Sequence, residues 1–493
     1  MEIHEFDFAL ERPDHFLYRR LENGEERASI ERSFRLQDAV TTRFDVRLPL
    51  PIEEDLRDLM CALQLCDREA PRHIQGTRDS NGVRWGRVIR LRLGVREIER
   101  WNETAVRQPL DKFLRFNTGD DWQIEWVPLA QSEPAQGELA FERRQALRQR
   151  WPDLRVALCS EGLDSWAGLA DQLQLDPNAR FLLVTFNSNP RVKQLVSALL
   201  AKMPAEARKR VMPVSFGLNL CAGAPSSCAR DHELSLRTRG FLFLSGGLLA
   251  ASLVGQNELQ VFENGMGAFN FDFDSSQMMG QATRAVHPLS LALFGRFASA
   301  LLRRRISVCN PYQFHTKSQM CAALAGPQWS ELIGLTFTCG HEHRIKGGRW
   351  HCGVCTSCLM RRWSLRAANL WREDTARYVH DFADPGSVPA KKHLEWMKVQ
   401  KQKRSIERAL NAGSEAAIWA ALEQQWEWLP PTIEAVHPQQ NLDFAKFQSG
   451  VIGLLRAHVA DGLEVGPTAL ELLPSISPTP EPQSLFSDSA LAA

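Results

Sequence analysis

The chain has 493 residues, 44% hydrophobic and 24% charged, which is ordinary for a soluble globular enzyme with room for two or three domains. Its 59 basic and 58 acidic residues leave a formal net charge of +1, which excludes a global field that would recruit nucleic acid or an anionic membrane. The start Met1-Glu2-Ile3-His4-Glu5-Phe6-Asp7 has no apolar stretch of the secretory kind. The longest charge-free run, Phe241 to Asn257, is shorter than the roughly 20 residues that span a bilayer, so a cytoplasmic, membrane-free location is expected.

Residues 1–150 are expected to form an accessory α+β domain. Strands are predicted at Arg43–Leu48, Val83–Leu93 and Trp122–Trp126, with helices from Glu53 to Leu65 and from Val95 to about Phe116. The polar stretch Gln131 to Gly137 then leads to a boundary at Trp151-Pro152. Over residues 151–372 the pattern changes. Short apolar runs at Leu154–Cys159, Phe181–Thr185, Val211–Phe216 and Leu259–Phe262 alternate with helices at Ser165–Leu175, Arg191–Lys202 and Leu236–Val254. Such alternation predicts an α/β fold, a parallel sheet with helices on both faces. Residues 373–472 read as a helical C-terminal extension, with basic faces at Lys391-Lys392 and Lys398 to Arg404 whose simplest role is solubility. The proline- and serine-containing end, 473–493, reads as a disordered tail.

After the first apolar run of the α/β region comes Ser160-Glu161-Gly162-Leu163-Asp164-Ser165. A loop that closes on polyphosphate needs small residues, so that backbone N–H groups reach the oxygens, followed by an electropositive helix start. Ser160 and Ser165 can donate hydroxyl bonds, and Asp164 can cap the helix or help hold magnesium. No Gly-Lys-Ser or Gly-Lys-Thr occurs, so transfer of a γ-phosphate is not indicated. Glu161 puts a carboxylate where phosphates would lie, and a strand-to-helix turn of this composition also forms for structural reasons alone.

Far downstream, Cys339 is followed by Cys352, Cys355 and Cys358. Four thiolates at this spacing suit a closed tetrahedral zinc site that stabilises a fold and leaves no position for water. His341, His343 and His351 lie in the same segment and could replace one cysteine. A redox Cys-x-x-Cys is the rival reading, and it lacks a thioredoxin-like setting. The other seven cysteines read as buried small apolar residues.

Together these features resemble the 7-cyano-7-deazaguanine synthases, the QueC family of N-type ATP pyrophosphatases. The resemblance covers about Leu154 to Ala368. It rests on the loop Ser160 to Ser165, on Arg237-Thr238-Arg239-Gly240, on Asn310-Pro311 with Thr316-Lys317, and on Cys352-Gly353-Val354-Cys355-Thr356-Ser357-Cys358. It implies a PP-loop domain in which ATP activates 7-carboxy-7-deazaguanine as an acyl-adenylate and an amine then attacks. By resemblance Ser160, Glu161, Gly162, Leu163, Asp164 and Ser165 would hold ATP, with magnesium. Asp164, Arg239 and Lys317 would serve catalysis, and Glu263 and Asn264 would contact the base. The segment Met266 to His287 departs from the housekeeping enzymes, and the long flanks look like the QueC-like proteins of bacterial anti-phage systems of the CBASS and Qat types. That resemblance implies a protein partner from the same defence operon as the amine, with ammonia as the other acceptor. A nucleotide- or base-binding scaffold without turnover and a tRNA-modifying pyrophosphatase are the alternatives. Direct nucleic-acid binding is not expected.

Overall fold

Asn23 and Gly24 both hold positive φ, 53° and 87°, the backbone of a two-residue turn whose twist matches that of its flanking strands. They join β2 (His15–Glu22) to β3 (Glu25–Asp38), and β1 (Glu2–Asp7) pairs antiparallel with β2. None of these strands is among the sequence expectations, although Asn-Gly between alternating residues is the signal for such a hairpin. The structure is a computed structural model. It describes residues 2–10, 12, 14–38, 50–72, 78–79, 82–83, 87–129, 142, 145–146, 148–149, 153–187, 190–221, 233, 236–271, 284–340, 350–380, 393–440 and 442–462. The predicted strand Arg43–Leu48, the pair Lys391-Lys392 and the tail 473–493 lie outside the described residues.

Helix α1 (Pro51–Glu69) contains the predicted Glu53–Leu65 and starts with proline at its first position, where no N–H is needed. Strand β4 (Val88–Val95) runs later than predicted and takes Val95 away from the helix expected to begin there. That helix is two, α2 (Ile98–Asn102) and α3 (Thr104–Thr118), because Glu103 between them holds an extended ψ of 131°. Strand β5 (Asp121–Pro128) contains Trp122–Trp126.

The predicted α/β alternation follows as β6 (Leu154–Leu158), α4 (Leu163–Leu175), β7 (Arg180–Phe186), α5 (Pro190–Lys202), β8 (Val211–Leu220), α6 (Arg239–Leu253) and β9 (Glu258–Gln260). Two helices not foreseen, α7 (Gly265–Phe269) and α8 (Pro288–Leu302), lead to β10 (Ser307–Cys309). The strands form one ten-stranded sheet in the order β10–β9–β6–β7–β8–β3–β2–β1–β4–β5. All neighbours are parallel except β8–β3, β3–β2 and β2–β1. The long β3 makes the join: its first part pairs with β2, and Phe34 to Asp38 pair with β8. The sheet therefore continues through the boundary expected near residue 150.

Strand alternation explains why the central runs are apolar throughout. Leu154, Val156, Leu182 and Val184 enter one core with Phe241, Leu248 and Phe294, while Ala157, Phe181 and Leu183 enter another with Leu163, Trp166 and Leu199. A strand covered on both faces has no polar side to show. The first core also holds α1, packed on α6, and α3, packed on α8. The chain continues through α9 (Lys317–Cys321) and α10 (Thr356–Ala367) to the helices α11 (His393–Leu410), α12 (Glu415–Gln425), α13 (Leu429–Gln440) and α14 (Phe444–Asp461). Arg377–Tyr378, inside the stretch expected to be helical, is instead a short strand paired with Trp350–His351. Among the described residues no helix is long and apolar enough to cross a membrane. Cys221 is exposed and Cys309 half-buried, so these two depart from the buried role expected of them.

A buried ionic network fastens the N-terminal strands to α6. Arg87 bonds Asp67 at 2.5 Å and Asp120 at 2.7 Å, Arg72 bonds Asp120 at 2.6 Å, and Asp67 accepts the Thr238 N–H at 2.9 Å. Burial alone would raise the pKa of Asp67, yet Arg87 and Arg72 bring it below the ordinary value of 3.8. The folded state thus holds this charge more firmly than the unfolded chain. The stabilisation is complete above the ordinary carboxylate value and is lost as pH falls through the lowered one. Asp67→Ala leaves Arg87 and Arg72 short of a counter-charge and should cost about 3–5 kcal/mol. Thermal melts of wild type and variant across the acid range check this, with the variant expected to melt lower at neutral pH and to lose less on acidification.

Candidate active site

The loop after β6 is built by its own hydroxyls. The Ser165 hydroxyl accepts the Ser160 N–H at 3.2 Å and lies 3.0 Å from the Ser160 hydroxyl, which accepts the Gly162 N–H at 3.1 Å. The Trp166 indole donates to the Ser160 carbonyl at 2.9 Å, and the Glu161 carbonyl accepts the Phe337 N–H at 2.8 Å. Gly162 is the N-cap of α4, and no side chain caps this helix. Asp164 does not take the capping role open to it, because it lies inside the first turn and faces the core of the site.

There Asp164 accepts from Lys317 Nζ at 2.5 Å and from Asn264 Nδ2 at 2.8 Å, and Asn264 Nδ2 also reaches Glu263 Oε1 at 2.8 Å. Each partner is placed by local chemistry. Thr316 and Gln319 form a reciprocal capping box that starts α9 at Lys317. Asn264 caps α7 through the Gly267 N–H at 3.1 Å. Asn310, just past β10, donates to the Glu263 carbonyl at 2.7 Å and so fixes the peptide that carries both Glu263 and Asn264. Residues following β6, β9 and β10 thus meet at the carboxyl ends of neighbouring parallel strands, where open α/β sheets take ligands.

Burial opposes charge on Asp164, but Lys317 outweighs it and lowers the carboxyl below its ordinary value. Lys317 shows the mirror effect: burial works against the ammonium, and Asp164 with Glu263 raises it. Burial and the neighbouring Asp164 carboxylate push Glu263 well above the carboxylate range. The cluster therefore sets an ion pair beside a carboxyl group that holds its proton more firmly than usual.

These groups line a cavity of about 400 Å³. Of the sequence-predicted residues, Ser160, Gly162, Leu163, Asp164, Ser165, Glu263, Asn264 and Lys317 are on its wall. Glu161 and Arg239 are not. Arg239 is exposed at the start of α6, its guanidinium 5.2 Å from the Phe243 ring, on the outward stripe of a helix whose Gly240, Phe241 and Leu242 face inward. The wall is completed by Met266, Gly267, Asn270 and Phe271, by Thr338, by Thr356, Ser357 and Met360, and by Gln402 and His458. Thr356 and Ser357 had a visible signal, their place between two knuckle cysteines. Gln402 and His458 lie in the helical extension and had none.

Cys339, Cys352, Cys355 and Cys358 are all buried, with sulfurs within 4.8 Å of one another, and the cluster could hold a metal ion. A tetrahedral site with zinc–sulfur bonds of about 2.3 Å has sulfur–sulfur edges of about 3.8 Å. Cys352 and Cys358 Sγ lie 3.8 Å apart. Backbone N–H groups of Cys352 and Cys355 point at Cys339 and Cys352 sulfurs, at 3.3 and 3.2 Å. Gly353 has φ of 80°, and a Cβ there would collide with the His380 carbonyl. His351 is not in the cluster; its Nε2 accepts the Thr338 N–H at 3.3 Å, and burial with nearby Arg361 lowers its pKa to about 3. His341 and His343 lie outside the described residues. Cys355 is the N-cap of α10, so the cluster sets where that helix begins and turns its first residues to the cavity.

Metal analysis of the purified protein is expected to find one tightly held ion per chain, and Cys358→Ser to lose it together with a lower melting temperature.

No protein-family model matches the chain, and no curated protein matches it.

Proposed function

We propose that the chain is an ATP-dependent ligase that activates a carboxylate as its acyl-adenylate and passes the acyl group to an amine. The acid in this reading is 7-carboxy-7-deazaguanine or a related deazaguanine, and the fold around the site is that of a PP-loop ATP pyrophosphatase. One observation carries it. Two helix starts, at Leu163 and Thr356, a loop of small residues and the Lys317 ammonium all border the same cavity. Unpaired N–H groups at helix starts and a buried cation attract polyphosphate.

In the first step the carboxylate oxygen attacks the α-phosphorus, the bond to the bridging oxygen breaks and pyrophosphate departs. The amine lone pair then attacks the acyl carbon, AMP leaves and the amine gives up a proton. Ser160, Gly162, Leu163 and Ser165 would bond the phosphates, and Lys317 would offset the charge that builds on the departing oxygens. Asp164 holds Lys317 in place. Asp164 and Glu263 are also two carboxyl groups bridged by the Asn264 amide, a donor set that would suit magnesium once the ion displaces the proton Glu263 holds, since magnesium is commonly held by one or two carboxylates with phosphate oxygens and water. Magnesium would supply further charge neutralisation there. The four cysteines would hold zinc as a closed centre that shapes the wall of the site.

An acyl-adenylate does not dictate its nucleophile. A partner-protein amine, such as an N-terminus supplied by a neighbour in an anti-phage operon, is the favoured acceptor. Ammonia is the second, giving an amide that another ATP dehydrates to 7-cyano-7-deazaguanine. The reach of Gln402 and His458 into the cavity supports a site that differs from the compact synthases. Glu161 does not line the cavity, which supports turnover over a silent scaffold.

Pyrophosphate release with ATP and 7-carboxy-7-deazaguanine tests the reading. Wild type and Glu161→Gly should turn over at similar rates, and Asp164→Ala and Lys317→Ala should lose about 100-fold or more. Silence in wild type with activity in Glu161→Gly would favour the scaffold. Mass spectrometry of the operon partner separates the acceptors: an unchanged mass beside released nitrile removes conjugation.

A further inference from the structure

Helix α7 has an asparagine at each end, and the two are used differently. Asn264, before it, spends both ends of its amide on the protein: Oδ1 accepts the Gly267 N–H at 3.1 Å, and Nδ2 donates to Asp164 and to Glu263, each at 2.8 Å. Asn270, after it, is half-buried and lines the cavity, and its amide makes no hydrogen bond among the described residues. The third amide of the wall, that of Gln402, donates to the Phe271 carbonyl at 2.6 Å. Among the described residues, Asn270 is thus the cavity amide whose donor and acceptor are both open.

The backbone that carries this open amide is held on both sides. Its φ of 52° and ψ of 48° form the left-handed turn that closes a helix, a conformation glycine takes freely and asparagine tolerates. Phe269 and Phe271, the residues before and after, are both buried in the main core, with 5.4 Å between their ring centroids. Phe269 meets Phe447 at 5.8 Å and Phe271 meets Trp426 at 4.7 Å, so α13 and α14 are not needed to move when a ligand arrives at Asn270. A polar group on a backbone fixed in this way is preorganised for a ligand. The cavity wall also sorts by chemistry. Asp164, Lys317 and the loop hydroxyls gather the charge and the phosphate-binding groups, while Met266, Phe271 and Met360 supply apolar surface.

We propose that Asn270 determines specificity by reading the edge of a purine-type ring, its carboxamide donating to one ring position and accepting from the adjacent one. Such a ring presents a donor and an acceptor side by side, the pattern that an asparagine amide matches with two bonds. Being uncharged, the amide does not compete with Lys317 for phosphate. The proposal deepens the function given above and rests on it, since that reading brings two rings of this chemistry, the deazaguanine acid and the adenine of ATP. Asn270 lies in the stretch Met266 to His287, where the chain departs from the synthases it resembles, so the ring would be read by sequence particular to this protein.

Calorimetric titration of the intact protein with ATP and, separately, with 7-carboxy-7-deazaguanine tests the assignment. Asn270→Gly suits the test because glycine keeps the left-handed turn and removes only the amide. The variant should melt no lower than wild type without ligand, weaken one of the two ligands about tenfold and spare the other. The ligand that weakens identifies the ring. Tripolyphosphate, which has no ring, should bind variant and wild type alike, and a loss for it equal to the loss for ATP overturns the proposal, because the change would then lie at the phosphates. Wild-type affinity of Asn270→Gly for both ligands overturns it too, as does a lower melting temperature with both ligands weakened. If wild type binds ATP and not the deazaguanine, the proposed function fails while the ATP arm still decides the role of Asn270; binding of neither overturns both.

Discussion

A carboxylate buried in the first turn of α4 has to be met by a cation, and the pairing of Asp164 with Lys317 organises the site. Removing two charges from water is repaid only when the geometry is good and the remaining lone pairs are bonded. Lys317 and Asn264 satisfy the two oxygens of Asp164, and the capping box at Thr316 presents Lys317 at the required place. Because the three residues follow three different strands, the pair holds the ends of β6, β9 and β10 to one another. The bond from Ser318 to Asp461 extends that link to the last described helix.

The four-cysteine cluster acts on the same cavity from the other side. Its sulfurs draw Cys339 and the Cys352–Cys358 turn together, and Cys355 fixes the start of α10. Further along the helix, the buried Arg361 bonds Asp374 at 2.8 Å and the Thr336 hydroxyl at 2.7 Å, so its charge is answered by an aspartate and not by the thiolates. The Glu161 carbonyl is bonded by Phe337, two residues before Cys339 in the chain. Loop and cysteine turn are therefore mechanically linked, and a change in the four-cysteine cluster would be felt at the Ser160–Ser165 loop.

The C-terminal helices do more than cover apolar surface. Trp396 and Val399 of α11 pack with the cysteines and Trp363, while Phe447, Val451 and Leu455 of α14 join the main core with Phe269. A segment anchored in both cores can hold Gln402 and His458 at the cavity with little freedom. The main core also joins the N-terminal helices to α6 and α8, which is why the sheet reads as a single layer across residue 150.

Local chemistry made part of this visible in the chain. The small-residue loop, the spacing of Cys339, Cys352, Cys355 and Cys358, and the doubly apolar strands carry their signals within a few residues, since hydrogen-bonding capacity, metal ligation and strand alternation are short-range properties. Asn23-Gly24 carried one as well, in its left-handed backbone. The direction of a side chain on a helix is a different matter. Arg239 and Lys317 both stand at helix starts, and only packing turned the first outward over Phe243 and the second inward to Asp164. The same holds for Glu161, kept off the cavity wall, and for His458, brought to it from almost 300 residues beyond the loop. The sequence by itself determined which chemistry this protein can hold, because donors, ligands and periodicity are written residue by residue. Tertiary structure alone decided which of those groups share one cavity, because burial and pairing between distant segments select a side chain's neighbours.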